Sequence, residues 1–293
     1  MSAEAAARLR SIPAGFEPGP LAAIDGMLGR IAAEERVGIG LAIESGSRAW
    51  GFPSPDSDYD CRFLFVRGAE DYLSPWQKRD VIETPLEGEL DVNGWELGKA
   101  LKLLLKGNAV VVEWLMSPIV YDGDAWFREA MTAFARAHGD RAGMARHYLH
   151  LGERQRRSYF ADGKPIRLKK LFYALRPAAA LRWLRLHPEA PVAPMHFPTL
   201  LEESEPPREI AALVRELIAR KAETRELGEG PLPKAIKGFV DAEFARAAET
   251  LPVRSAATTR EARAAAEALF RDAVARLGPV RSTPAPGGAK KGP

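Results

Sequence analysis

The sequence predicts an α+β fold: a small mixed sheet with helices over residues 1–125, a mainly helical part over residues 126–280, and a tail over 281–293. Three observations carry that prediction. Short apolar runs bounded by Gly, Pro, Ser and Asp fall between Gly38 and Val92, as strands and their turns require. From about Trp126 onward the apolar residues recur at helical spacing. The ending TPAPGGAKKGP holds no core-forming residues, so disorder is expected there.

The elements follow in order. Residues 1–20 are broken by Pro13, Pro18 and Pro20; Leu21 to Glu35 then places Ile24, Leu28 and Ile31 on one side of a helix. GIGLAIES, Gly38 to Ser45, is a buried strand that meets a turn at Gly46-Ser47. A Pro-, Ser- and Asp-rich loop leads to a second strand, Asp60 to Val66. Arg79 to Pro85 and Glu89 to Val92 are further strand segments, and Trp95 to Leu105 turns to helical spacing that runs past Gly107 toward Leu115. In the second part, Ala174 to Leu186 is strongly helical with Pro177 near its first turns, where proline is tolerated. Val192 to Glu202 connects into a short helix, and helices are expected over Pro207–Leu227, Leu232–Glu249 and Ala256–Leu277.

Bulk properties exclude several classes. A single cysteine, Cys61, rules out a disulfide framework and a cysteine-rich zinc site, and fits a reducing, cytoplasmic setting. No uninterrupted apolar run reaches membrane-spanning length, so no membrane association is expected. The net charge of +3 is too small to prove a nucleic-acid partner, so its distribution carries more weight than its total.

The chemistry is concentrated between Gly46 and Asp91. Asp58 and Asp60 stand two apart, and positions i and i+2 of a strand face the same way. Two carboxylates held together repel, and a bound cation relieves the repulsion; oxygen ligands with retained water suit Mg²⁺, with Mn²⁺ as an alternative. Asp91, in GELDVNGW on a neighbouring strand, is the natural third ligand. Three such carboxylates can hold two metal ions about 4 Å apart for in-line phosphoryl displacement. In that arrangement Asp58 and Asp60 hold the nucleotide-side ion and all three the attacking-side ion, while Asp91 orients or deprotonates the attacking hydroxyl. The plain alternative is a set of exposed loop aspartates. Gly46 lets the backbone turn and approach a ligand closely, and exposed N–H groups there, with the Ser47 hydroxyl, suit phosphate oxygens. Neither a Walker-type nor a dinucleotide-binding glycine pattern is present.

Gly46-Ser47 followed by Asp58-Tyr59-Asp60 resembles the polymerase-beta-like nucleotidyltransferases. More narrowly, LAIESGSRAWGFPSPDSDYDCRFLFV, YLSPWQKRDVIE, LDVNGWELGKALKLLLKGN, EWLMSPIVY and RLKKLFYALRP are similar to the bacterial and phage RNA-repair-pathway nucleotidyltransferases, over about residues 38–200. The resemblance implies a polymerase-beta-like core, a nucleoside triphosphate held at Gly46 and Ser47, and metals at Asp58, Asp60 and Asp91. It also implies a functional link to an RNA ligase. Asp56 is not the superfamily position and is read as a loop residue or as one lying just behind the metal-binding pair.

Between Arg154 and Arg185 ten basic residues meet one acidic residue, Asp162. Lys and Arg contacts to phosphates dominate nucleic-acid affinity, and the interleaved Tyr159, Phe160, Phe172, Tyr173 and Trp183 include residues able to stack on bases. The alternative is a solvated helical face over a buried aromatic stripe. By analogy with the superfamily, Lys170 and Arg176 are the preferred triphosphate contacts, Lys169 is an equal alternative to Lys170, and Tyr173 faces base or sugar. Arg48, just past the turn, suits a phosphate contact or a salt bridge equally well.

The favoured reading is a metal-dependent transfer of a nucleoside monophosphate from an NTP to an acceptor hydroxyl at an RNA 3′ end, tRNA-like ends included. Other readings are an adenylyltransferase acting on a small molecule or protein, a nucleotide-removing repair activity, a metal-dependent phosphohydrolase, and a non-catalytic RNA-binding protein. Oligomeric state is left open.

Overall fold

The computed structural model describes residues 7–160, 165–224, 228–251 and 258–280. The expected disordered tail lies outside the described residues, as does Lys164.

Helix α1 (Pro18–Glu34) opens with prolines in its first turn and buries Ile24, Met27, Leu28 and Ile31 at helical spacing. Proline is at home there, because the first N–H groups of a helix have no partner within it. Strands β1 (Val37–Glu44) and β2 (Tyr59–Arg67) pair antiparallel. A single helical turn, α2 (Ala69–Tyr72), and the short β3 (Val81–Glu83) lead to β4 (Leu90–Glu96), which pairs with β2 in parallel. Strand β5 (Val120–Gly123) completes a five-stranded sheet of order β3-β4-β2-β1-β5.

The expected helix from Trp95 to Leu115 is three elements instead. Trp95 ends β4, and α3 (Leu97–Leu105) starts at the Glu96 carboxylate, which accepts from the N–H groups of Gly98 and Lys99. The helix then breaks at Gly107, which has φ +73° and packs on the backbone of Gly143. Only glycine takes that conformation at no steric cost. A fresh cap from the Asn108 side chain to Val110 N starts α4 (Ala109–Leu115).

The sheet is covered on both faces. One face packs Ala42, Cys61, Phe63, Phe65 and Val92 against Ile24 and Leu28 of α1. The other packs Leu41, Ile43, Leu64 and Val66 against α3, α4, α5 (Ala125–His138) and α11 (Arg260–Leu277), through residues such as Leu101, Trp114, Phe127 and Ala273. The last described helix thus returns to the sheet.

A separate core surrounds α7 (Leu171–Leu186), which lies among α6 (Arg141–Tyr159), α8 (Phe197–Glu203), α9 (Arg208–Glu223) and α10 (Lys234–Thr250). Ala174, Ala178, Ala179 and Ala180 are all buried, and their small side chains let the neighbouring helices approach. Helix α7 begins earlier than Ala174, so Pro177 sits inside it and cannot donate to the carbonyl of Tyr173. Strands β6 (Ile166–Arg167) and β7 (Glu229–Gly230) form a small second sheet. Among the described residues no helix is long and apolar enough to cross a membrane.

Candidate active site

The site lies where β1 ends. Glu44 closes an apolar strand and is completely buried. Its Oε1 accepts from the backbone N–H groups of Gly46, at 3.0 Å, and Asp60, at 3.1 Å, while the Tyr121 hydroxyl donates to Oε2. Burial pushes the Glu44 carboxyl up to about 7, against the pull of the Tyr121 and Gly46 donors. The Gly46 N–H therefore points inward and is not offered to a phosphate, contrary to expectation. What Gly46 contributes is the lack of a side chain: a β-carbon there would collide with Asp60 Oδ2.

Parallel pairing sets Asp60 directly opposite Asp91. Each is about a third exposed, and Asp58 stands exposed just before β2. Burial raises the Asp60 pKa, Asp91 and Asp58 raise it further, and Arg62 opposes them. Arg62 follows Asp60 by two positions and so shares its face of the strand. Its Nη2 lies 2.6 Å from Asp91 Oδ2 and 3.4 Å from Asp60 Oδ1. Asn93 donates to Asp91 Oδ1 at 2.5 Å. The expectation of three converging carboxylates needs correcting to that extent. Among the described residues no three His, Cys, Asp or Glu side chains form a ready-made metal cluster, and the cation between Asp60 and Asp91 is a guanidinium. The oxygen donors and the mutual repulsion on Asp60 still suit a hard divalent cation.

The loop between the turn and Asp58 is tied down from both sides. The Ser47 hydroxyl donates to Ser57 Oγ at 2.8 Å, and Ser54 N donates to the same oxygen. Arg48 donates to the carbonyls of Ser57, at 2.6 Å, and Asp58, at 3.3 Å, and its guanidinium lies 3.9 Å from the Tyr59 ring centroid. Arg48 thus latches the acidic loop. From α9 the buried Lys221 donates to Phe52 O at 2.7 Å, with Ser54 Oγ at 3.4 Å. Phe52 stacks on Phe172 of α7, 4.4 Å between centroids, so the loop is anchored in the helical core.

A sequence profile described as the RNA repair pathway DNA polymerase beta family matches residues 22–272. The chain belongs to this family. It is also 39% identical over 222 residues to an uncharacterized Bacillus subtilis (strain 168) protein, YcgL, an alignment covering 76% of this chain and 84% of the relative. For a member of the RNA repair pathway DNA polymerase beta family, the five-stranded sheet with its carboxylates corresponds to a polymerase-beta-like core, followed by a helical part.

The basic residues of this family member fall into two groups. Lys170 stands 4.8 Å from the ring centroid of Tyr173 and 5.0 Å from that of Tyr159; Tyr173 in turn meets Trp50, next to the turn, edge-on at 6.3 Å. Lys169, its neighbour, is close enough to Lys221 to lower that lysine's pKa. Arg176 is buried, bonded to Glu113 at 3.0 Å, with its guanidinium 3.9 Å from the Trp50 ring centroid, so it backs Trp50 rather than facing the open. Trp50 Nε1 and Arg176 Nε are buried donors with no partner among the described residues. Four further arginines of the basic stretch are paired with carboxylates. Arg182 and Arg185 share Glu243 of α10, Arg156 pairs with Asp241, and Arg167 with Glu229. These carboxylates offset part of the positive charge expected to face nucleic acid, although Arg167 and Arg185 stay exposed.

Three residues escaped the sequence reading. Glu44 had a signal, a carboxylate ending an apolar strand one residue before Ser45-Gly46. Arg62 had one too, the alternation Asp58, Asp60, Arg62. Lys221 had none, because it reaches the loop from a helix more than a hundred and fifty residues away.

Proposed function

We propose that this chain is a metal-dependent nucleotidyltransferase that moves a nucleoside monophosphate from a nucleoside triphosphate to an RNA 3′ hydroxyl. The observation that carries the reading is the Asp60–Asp91 pair, opposed in parallel register, with Asp60 pressed against the Gly46 turn. In the reaction the acceptor oxygen bonds to the α-phosphorus and the α–β phosphoanhydride bond breaks. The β- and γ-phosphates leave as pyrophosphate, and the hydroxyl proton passes toward Asp91.

Asp58, Asp60 and Asp91 would hold Mg²⁺ or Mn²⁺ ions, two in the full arrangement, which supply positive charge against the phosphates and favour the deprotonated acceptor. The protein's own part is positioning. Glu44 fixes the turn and Asp60 to one another. Lys221 and Arg48 hold the loop that presents Asp58. Ser47 and Lys170, with Lys169 and Tyr173 beside them, are the candidates for triphosphate contact, and the unspent donors of Trp50 and Arg176 lie behind them. The RNA repair name of the family supports RNA as the acceptor class.

The test is a product assay with Mg²⁺ or Mn²⁺, each of the four labelled NTPs and cellular RNA, run beside Asp58→Ala/Asp60→Ala. Label in RNA only with intact carboxylates is the expected result. Label on protein or on a small molecule would replace RNA by another acceptor, and metal-dependent loss of the RNA terminus would point to nucleotide removal.

A further inference from the structure

A large cleft stands apart from the carboxylates. It has a volume of about 930 Å³ and lies at the other end of the same strands, where Arg67 ends β2 and Glu96 ends β4, walled by the loop before β3, by α3 and by α11. Eight Lys and Arg residues line it against four Asp and Glu residues, a local surplus larger than the +3 of the whole chain. The four carboxylates are already engaged. Asp71 pairs with Lys78 at 3.0 Å, Asp80 with Lys99 at 3.2 Å and Glu267 with Arg271 at 3.9 Å. Glu96 caps α3 and accepts from the Tyr72 hydroxyl at 2.6 Å. Lys102, Lys106 and Arg263 stand exposed around the cleft.

The loop that walls it carries a second feature. Trp76, beside Gln77 and Lys78, is 83% exposed, and Leu73 is 84% exposed. A tryptophan left in solvent beside a basic groove is the pairing used to bind single strands: cations follow the phosphates, and the ring stacks on a base without reading it.

We infer that this distal cleft is a second nucleic-acid site, taking the phosphate backbone of single-stranded RNA with Trp76 as its stacking platform. The inference rests on the reading of RNA as acceptor. From Asp60 to Arg67 the strand advances about 3.3 Å per residue, about 23 Å in all. At about 3.4 Å per nucleotide, the rise of a stacked strand, an acceptor with its 3′ end at the carboxylates needs about seven nucleotides to reach the cleft. The cleft thus holds the body of the RNA and leaves the chemistry to the far end of the sheet.

The experiment measures binding and transfer by the full chain on unstructured labelled RNAs of about 20 and about 5 nucleotides, over a range of salt. In Lys102→Glu/Lys106→Glu/Arg263→Glu, affinity for the long RNA should fall tenfold or more, and the magnitude of its log–log salt slope by about two. Trp76→Ala should weaken the long RNA about tenfold with the slope unchanged. Binding of the short RNA should stay as in the parent, and unchanged circular dichroism would establish that these surface variants fold. Equal affinity of the parent chain for both lengths, or long-RNA binding untouched in both variants, overturns the inference. The latter is what an acidic protein as occupant predicts. The two readings fail separately. Transfer to the short RNA with cleft variants that bind long RNA normally would remove the cleft and leave the transferase. Cleft-dependent RNA binding with no transfer to either length would do the reverse.

Discussion

Asp60 and Gly46 occupy one another's space: the Asp60 carboxylate lies where residue 46 would carry its β-carbon. The Gly46 turn and the Asp60 carboxylate are therefore a single packed unit. Gly46→Ala must push Asp60 aside, and overpacking of this kind costs about 1–3 kcal/mol. Displacement of a reacting group by about 1 Å costs about a hundredfold in rate. Transfer activity should fall by that order while the protein stays folded, as measured by turnover beside thermal unfolding. Activity near that of the parent chain would mean that Asp60 need not stay where it is.

Glu44 makes stability depend on pH. Its folded-state pKa of about 7 lies above the ordinary 4.5, so the folded chain binds that proton more tightly than the unfolded one. The contribution is full below pH 4.5 and is lost as pH rises through 7, about 3 kcal/mol in all. Glu44→Gln can still accept from Gly46 N and Asp60 N but does not ionise. Urea unfolding of parent and variant from pH 4.5 to 8 should show the parent losing stability relative to the variant. Parallel curves would mean that Glu44 titrates normally.

Arg62 neutralises the carboxylates that a metal would otherwise neutralise. Arg62→Met leaves Asp60 and Asp91 facing without a cation and takes the guanidinium donor from two backbone carbonyls, Cys61 O and Asp91 O. Loss of a buried partner costs about 1–3 kcal/mol per group. The variant should unfold at lower temperature, and Mg²⁺ should raise its midpoint by more than it raises the parent's. Equal Mg²⁺ shifts in both would argue against the metal being held between these carboxylates.

Lys221 couples the helical part to the acidic loop. Burial lowers its pKa to about 8, which marks the site as hostile to a bare charge. Lys221→Met removes the donor to the Phe52 carbonyl and should cost about 1–3 kcal/mol. It should also raise KM for the nucleotide, because Ser54 and Ser57 set the position of Ser47. Kinetics identical to the parent's would reduce Lys221 to a packing residue.

Legible in the residues alone were the α+β class, the strand–turn–strand unit around Gly46 and Ser47, and the spacing that brings Asp58 and Asp60 to one strand end. These are local properties. Alternation on a strand and a glycine at a turn are fixed by neighbours a few residues apart. The breaks around α3 were harder, since a cap at Glu96 and a glycine packed on Gly143 outweigh a continuous apolar pattern. Long-range packing sets the parallel pairing that opposes Asp60 to Asp91, the burial of Glu44 between the turn and Tyr121, and the Lys221 tether. The same packing sets which basic residues are paired: Arg182 and Arg185 face Glu243, while a surplus of cations lines the cleft at the far end of the sheet. Charge in a sequence has a sign but no direction. Its partner is set by packing between helices and strands far apart in the chain, and no local pattern records that.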